Sequence, residues 1–368
     1  PVPWLAASSP FHARSACSRI ESIVHTSSGA KAYAARGMHS RAHRHHLATI
    51  SPGLPLRKDT MTPLRSSISR MLDDLYPGAR LVSTRRLRGG LAAQTHAARV
   101  ELADGTRKTL VVRRKANGQV RIPRHYRTLE VLAAAHVPAP KPITLDVANQ
   151  YFDVPTMVIE HAGYPLLKPR DQSSWVAQLA HALHRAHQVT PETADLAYLL
   201  EPLPQHSSTS PDPPAPDALL TEVAAALSEA ADTVAPLPPT LVHDDYWPGN
   251  TVWERQRLTA IIDWDGARIG DPRGDLAQCR IDLTFIAGEA AATTFLREYE
   301  SLHGRPIDDM WYFDLETFHR SHQWFEHWHA GYADIGIDWT SPAEMVAAAR
   351  QFATRALASR PKPAQARA

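Results

Sequence analysis

The stretch VHDDYWPGN, residues 242–250, constrains the fold of this chain more than any other segment. An apolar run ends where it begins, while Pro248 and Gly249 prevent it from continuing as a helix. Two carboxylates, including that of Asp245, and the carboxamide of Asn250 are therefore carried by irregular backbone. Such side chains need a rigid scaffold on both sides of the loop.

The next segment, TVWERQRLTAIID, supplies part of that scaffold. Its two short apolar runs flank the polar turn ERQR, a pattern that predicts a β-hairpin. The hairpin places Asp263 at the end of its second strand, so we expect Asp245, Asn250 and Asp263 to converge. Carboxylate and amide oxygens are the ligands that Mg²⁺ prefers.

Composition limits the possible partners. The chain has 368 residues, enough for two lobes or domains, and a formal net charge of +2, which gives no argument for a nucleic-acid partner. No apolar run reaches the 18 to 20 residues that a membrane span needs. We therefore expect neither a nucleic acid nor a membrane as a partner. Cys17 and Cys279 lie far apart, which favours a reducing, cytoplasmic setting over a disulfide framework.

The first 60 residues differ from the rest. They are rich in Arg, His, Ser and Ala, contain only the acids Glu21 and Asp59, and show no helical or strand period. We expect residues 1–60 to be a disordered or non-native N-terminal extension. An Arg-rich targeting peptide, or an over-extended start ahead of Met61, are the two versions of that hypothesis.

The remaining chain divides into two kinds of sequence. Residues 61–162 contain short alternating runs, a hairpin signal at Asp104-Gly105, and two amphipathic helices. The inward residues predicted for these helices are Ile68, Met71, Leu72, Leu75, Tyr126, Leu129, Leu132 and Ala133. Residues 163–368 have mainly helical periods, interrupted by a Pro-rich loop. The sequence thus predicts an α+β protein with a small antiparallel sheet followed by a helical region.

The motifs HDDYWPGN and IIDWDGARIGDPRGDLA resemble the catalytic core of the aminoglycoside phosphotransferase and choline kinase family. That family has H-G-D-[FYL]-x-x-x-N followed by I-D-W-[ED]-x-[AG]-x-x-G-D-P-x-x-D-[LI]-A. The resemblance implies a protein-kinase-like fold of two lobes. A β-sheet N-lobe, residues 61–162, would bind nucleotide, and a helical C-lobe, residues 163–368, would carry the catalytic loop and the acceptor site.

The resemblance also implies an activity and roles for the C-lobe residues. The ATP γ-phosphate would pass directly to a hydroxyl of a small-molecule acceptor in a Mg²⁺-dependent reaction, with GTP as the alternative nucleotide. Asp245 would be the catalytic base, and Asn250 and Asp263 would hold the metal. His243 and Asp275 would support the catalytic loop.

In the N-lobe, the resemblance points to three nucleotide-binding elements. The Gly89-Gly90 turn would lie against the phosphates, and Arg113 would be the strand cation that pairs with them. Arg114, one residue out of phase, should point to the opposite face of the strand. The backbone of the hinge between the lobes would bind adenine at Glu160, His161 and Ala162.

Two residues depart from the family pattern. His125 stands where a helix glutamate often pairs with the strand cation, so that Glu130 or a different arrangement must replace it. Asp244 stands where glycine is usual, and its carboxylate would add a metal ligand, weaken phosphate binding or point away. Asp265 and Asp271, also in the second motif, are expected to be solvated turn residues, with an approach to the metal or the substrate as the alternative.

Two alternatives and two open questions follow. A catalytically degenerate kinase fold would bind nucleotide or a partner without turnover, and a phosphohydrolase would use His243 and Asp244 as a metal dyad. The acceptor and the oligomeric state stay open. Acids and tryptophans could line a cleft for a cationic acceptor, although ordinary packing explains each of them as well: Asp282, Glu316, Glu326, Trp324 and Trp328.

Overall fold

The computed structural model describes the chain from residue 61 to residue 361 with interruptions. The ranges left out within it are 88–93, 202–216, 326–327, 330–331, 333–336 and 338–339. The predicted N-terminal extension, residues 1–60, lies outside the described residues.

A five-stranded antiparallel sheet forms the first half of the described chain, with strand order β1-β2-β3-β5-β4. Its strands are β1 (Arg80–Arg86), β2 (Gln94–Glu101), β3 (Arg107–Arg114), β4 (Pro142–Asp146) and β5 (Thr156–Glu160). The hairpin predicted between β2 and β3 is confirmed. Gly105 has φ +81°, a conformation that suits glycine, and the Thr106 amide donates to Asp104 Oδ1 over 2.8 Å.

Two helices belong to this sheet: α1 (Met61–Leu75) and α2 (Arg121–Ala134). The apolar face of α1 is buried as predicted, except that Leu75 is 38% exposed at its end. On α2 the predicted inward residue Ala133 is exposed, whereas His125 is buried. The buried face of α2 is therefore rotated relative to the purely apolar period.

The second half of the described chain is mainly helical. Its helices are α3 (Gln172–His187), α4 (Ala218–Ala230), α5 (Arg273–Ala287), α6 (Glu289–His303), α7 (Met310–Ser321) and α8 (Pro342–Ala358). Their apolar faces share one core with large buried side chains such as Trp175, Phe295 and Phe318. None of the helices in the described ranges combines the length and the apolar character needed to cross a bilayer.

Two small ribbons lie between α4 and α5 and position the candidate site. Strands β6 (Thr240–Val242) and β9 (Arg268–Gly270) form one, and β7 (Thr251–Glu254) and β8 (Arg257–Ile261) form the predicted hairpin. The two turn residues of that hairpin, Arg255 and Gln256, both have positive φ, as a tight two-residue turn requires.

Candidate active site

The loop 243–250 is irregular, as its sequence predicts, and it ends in a short 3₁₀ turn at Pro248–Asn250. Asn250 is buried, and its Nδ2 donates to both the backbone oxygen and Oδ2 of Asp245, each over 2.9 Å. These bonds fix the rotamer of Asn250 and leave its carbonyl oxygen as a possible metal ligand.

The β7–β8 hairpin returns the chain to this loop. The Ile262 amide donates to the backbone oxygen of Asn250 over 2.8 Å, which places Asp263 next to the loop. Asp263 itself has a left-handed backbone, with φ 63° and ψ 50°. The structure therefore brings together Asp245, Asn250 and Asp263, the three residues that the sequence expected to converge.

Asp245 is open to the cleft on one side and crowded by protein on the other. Burial, followed by the charge of Asp263, raises the pKa of the Asp245 carboxyl to about 7, although the hydrogen bond from Asn250 opposes the change. Its solvent-exposed side lessens this effect. A carboxyl with a pKa near neutrality suits proton acceptance from a hydroxyl.

Asp263 behaves differently because a cation faces it. Arg113 Nη1 lies 2.8 Å from Asp263 Oδ1. Burial alone would raise the pKa of Asp263, but the positive charge of Arg113 and the hydrogen bond from it outweigh burial, so the pKa is lowered. This carboxylate is therefore ionised when the neighbouring Asp245 begins to take up a proton.

Hydrogen bonds of His243 and Asp275 fix the start of the loop 243–250. The buried carboxylate of Asp275 accepts from the amides of His243 (2.6 Å) and Asp244 (2.8 Å), and from His187 Nε2 (3.2 Å). The imidazole Nε2 of His243 lies 2.8 Å from the Ile262 carbonyl oxygen. The Asp275 carboxylate and the Nε2 of His243 thus bind to backbone and to His187, whereas the Nδ1 of His243 has no hydrogen-bond partner among the described residues.

The backbone conformation of Asp244 explains why the family pattern has glycine at this position. Its φ is 67°, where glycine is unstrained and aspartate is tolerated better than most residues. The carboxylate forms an ion pair with Arg268, with Nε 2.9 Å from Oδ1. The carboxylate of Asp244 therefore points to Arg268, which is the third of the possibilities stated for it.

His125 takes the place of the missing helix glutamate without replacing its charge. It is 2% exposed, and burial, followed by the charge of Arg113, lowers its pKa to about 3, so the imidazole is neutral. The substitute considered from the sequence, Glu130, is wrong: it is exposed and lies 3.4 Å from Arg127 on its own helix.

The strand and hinge residues have well-defined surroundings. Arg114 points to the opposite face from Arg113, as predicted, and pairs with Asp153. At the hinge, the amides of Glu160 and His161 donate to Lys141 and Thr109, and the Ala162 oxygen accepts from Thr259. The Ala162 amide donates to no described residue. Gly89 and Gly90 lie outside the described residues.

The sequence expectation was wrong for both further acids of the second motif. Asp265 is only 17% exposed and lies between Lys115 and Arg121. Asp271 accepts from the buried guanidinium of Arg273, with Nη2–Oδ2 2.6 Å. The sequence analysis missed Lys115 and Arg121, because a cation just after a strand or at the start of a helix is usually solvated.

The suggested acceptor residues are mostly engaged within the protein. Asp282 is buried and accepts from Gln278 Nε2 over 2.7 Å and from the Tyr332 hydroxyl; burial raises its pKa well above the usual range. Tyr332 stacks on Trp247 of the loop 243–250, with ring centroids 5.0 Å apart. Glu316 is exposed, Trp324 and Trp328 are half-buried, and Glu326 lies outside the described residues.

Comparisons with known proteins agree with this architecture. The model of the phosphotransferase enzyme family matches residues 89–310. A protein of Ralstonia eutropha JMP134 assigned as an aminoglycoside phosphotransferase is 18% identical, with TM-score 0.55 over 79% of this chain and 96% of its own. At this identity the likeness shows the fold, which is the two-lobed protein-kinase-like one.

A second solved structure shows the same fold. It is a thermostable mutant of aminoglycoside phosphotransferase APH(4)-Ia in a ternary complex with AMP-PNP and hygromycin B. It is 17% identical, with TM-score 0.50, covering 79% of this chain and 98% of its own. Among curated proteins, no sequence matches this chain.

Proposed function

Because this chain belongs to the phosphotransferase enzyme family, we propose that it transfers the γ-phosphate of ATP to a hydroxyl of a small-molecule acceptor. One observation carries the proposal: Asp245, Asn250 and Asp263 meet at one point, opposite Arg113. Phosphoryl transfer requires an aligned nucleophile and neutralised phosphate charge more than covalent chemistry. This set of residues provides both.

In the proposed reaction, Asp245 accepts the hydroxyl proton of the acceptor and orients its oxygen. Mg²⁺, held by the free carbonyl oxygen of Asn250 and the carboxylate of Asp263, would neutralise phosphate charge. Arg113 supplies a second positive charge on the N-lobe side. His243 and Asp275 keep the loop in place and take no part in proton transfer.

The nucleotide would lie between the lobes, which we place at residues 61–162 and 163–368. At the hinge, the amides of Glu160 and His161 are already bonded, so the Ala162 amide is the donor left for an adenine nitrogen. The Gly89-Gly90 turn would cover the phosphates. The buried free thiol of Cys279 agrees with the cytoplasmic location that we also propose.

Calorimetry with the full chain tests the nucleotide site. We expect ATP to bind only when Mg²⁺ is present, and Asp263→Ala to weaken binding by at least about tenfold, because it removes one of two protein ligands. GTP is titrated alongside to decide between the nucleotides. Failure of wild-type protein to bind either one would favour the degenerate-kinase alternative.

A further inference from the structure

Helix α2 carries no carboxylate toward the strand cation. Its residues 121–134, RIPRHYRTLEVLAA, include a single acid, Glu130, whose side chain is exposed on the far side from Arg113. His125, which does face the site, is neutral. Helix α2 is packed through its apolar face, so an ionic contact between α2 and strand β3 must be supplied by another element.

The carboxylates come from the opposite lobe, in the loop 263–267. Asp263 pairs with Arg113 on β3, and two residues later Asp265 Oδ2 lies 3.7 Å from both Lys115 Nζ and Arg121 Nη1. Lys115 follows β3 directly, and Arg121 is the first residue of α2. One loop thus contacts the strand, the following turn and the helix.

These charges are largely removed from water. The side chains of Lys115, Arg121 and Asp265 are 10%, 13% and 17% exposed. In the described part of the chain, the Lys115 ammonium makes no hydrogen bond, so its charge is balanced chiefly by Asp265. Removing one member of a buried ion pair leaves an uncompensated charge, which makes such a contact sensitive to substitution.

A neighbouring hydrogen bond also joins helix α2 to the loop 263–267. Arg124 of α2 donates to the Ala267 oxygen over 3.0 Å, at the end of the same loop, and to the Glu201 oxygen over 2.7 Å. Trp264, between the two aspartates, is buried in the C-lobe core. The loop is therefore anchored in one lobe and contacts the helix of the other.

We propose that Asp265 is a positioning residue that fixes helix α2 and the end of β3 on the metal-binding loop, in place of a carboxylate on the helix. Its consequence for nucleotide affinity rests on the proposed function, but the contact itself does not. In this arrangement the strand cation Arg113 is aligned from the C-lobe side.

Hydrogen exchange of the full chain, measured without nucleotide or metal, tests the contact. Asp265→Asn keeps the side-chain shape and removes the charge, so we expect the amides of residues 121–134 to exchange about tenfold faster, with those of α7 unchanged. Asp314→Asn is the matched control, because it removes the partly buried pair with Arg280 at 2.9 Å elsewhere in the C-lobe. It should leave α2 protected.

A double variant shows whether the charges act together. Lys115→Met combined with Asp265→Asn should exchange no faster than Asp265→Asn alone, because residues in contact are not additive. Strictly additive effects, or unchanged exchange in Asp265→Asn, would overturn the proposal. If Asp265→Asn does not fold, Lys115→Met is measured alone and should accelerate α2 exchange about threefold.

Binding of Mg²⁺ and ATP then separates this inference from the proposed function. We expect Asp265→Asn to weaken ATP binding about tenfold, whereas Asp314→Asn leaves it within about twofold. If the wild-type protein binds no nucleotide, the proposed function fails while the exchange result still decides the contact. If α2 exchange responds but ATP affinity does not, the residue contributes to stability alone and the positioning role is wrong.

Discussion

The two sides of the cleft are held by different forces. On the C-lobe side, one buried carboxylate, Asp275, accepts hydrogen bonds from two consecutive backbone amides of the loop 243–250. On the N-lobe side, Arg113 is held across the cleft by an ion pair with Asp263. Hydrogen bonds to backbone fix a loop in one geometry, whereas an ion pair between lobes holds only while the lobes stay together. The C-lobe side should therefore be the rigid half of the site.

The largest effect on activity is expected for Asp245, the residue on the C-lobe side that we propose takes part in the chemistry. Asp245→Ala should lower kcat by about 10²–10⁴-fold, because it removes the carboxylate that we propose accepts the hydroxyl proton. Nucleotide affinity should change little, since Asn250 and Asp263 remain. Steady-state kinetics and ATP calorimetry check both statements. Retained turnover would remove Asp245 from the proposed role.

The scaffold of the same half is tested by stability. Asp275→Ala leaves two buried amides and His187 without their acceptor, so the free energy of unfolding should fall by about 3–5 kcal/mol. Urea denaturation monitored by tryptophan fluorescence measures it. Asp271→Ala is the comparison: it leaves Arg273 without its carboxylate partner outside the loop, so it should leave kcat nearly unchanged. Equal losses of kcat in the two variants would contradict a special role for Asp275.

The N-lobe half should respond in affinity instead. Arg113→Lys keeps the charge but loses the planar guanidinium, so we expect the KM for nucleotide to rise about tenfold with little loss of kcat. Arg114→Lys is the matched control, since the neighbouring side chain pairs with Asp153 on the opposite face. A comparable KM change in both variants would show that the strand, and not the cleft-facing side chain, is responsible.

A pH profile sharpens the comparison further. With the pKa of Asp245 raised to about 7, kcat/KM should increase as the pH rises toward 7 and then level off. The raised pKa of Asp245 has the opposite effect on the free energy of unfolding, which falls as the pH rises. The folded chain binds this proton more tightly than the unfolded chain, so the stabilisation is complete at low pH and lost as the pH rises through about 7.

Asp244 offers a control for that profile. Its charge contributes to the raised pKa of Asp245, so Asp244→Asn should move the midpoint of kcat/KM to lower pH by less than about one unit. A midpoint unchanged in Asp244→Asn but absent in Asp245→Asn would assign the profile to Asp245 alone. A midpoint present in Asp245→Asn would assign it to another group.

The difference between the two sides of the cleft also decides which features of the site the sequence could predict. The conformation of the loop 243–250 depends on neighbours close in sequence, so VHDDYWPGN and the hairpin after it were sufficient to place Asp245, Asn250 and Asp263 together. The burial of His125 depends on packing between lobes. Arg124, one residue earlier, contacts a carbonyl 143 residues away, and no helical period reports such a partner. For the same reason, Asp265 was expected to be solvated.

The smallest effect on nucleotide KM is expected for Glu130, the single acid of helix α2. Glu130 lies 3.4 Å from Arg127 at the surface, a pair that contributes at most about 0.5 kcal/mol. Glu130→Gln should therefore leave the KM for nucleotide and the exchange of α2 unchanged, whereas Asp265→Asn changes both. The two variants each remove one carboxylate near the same helix. A raised KM in Glu130→Gln would mean that the helix moves on nucleotide binding and brings its own acid to Arg113, and the cross-lobe ion pairs would then belong to the nucleotide-free state only.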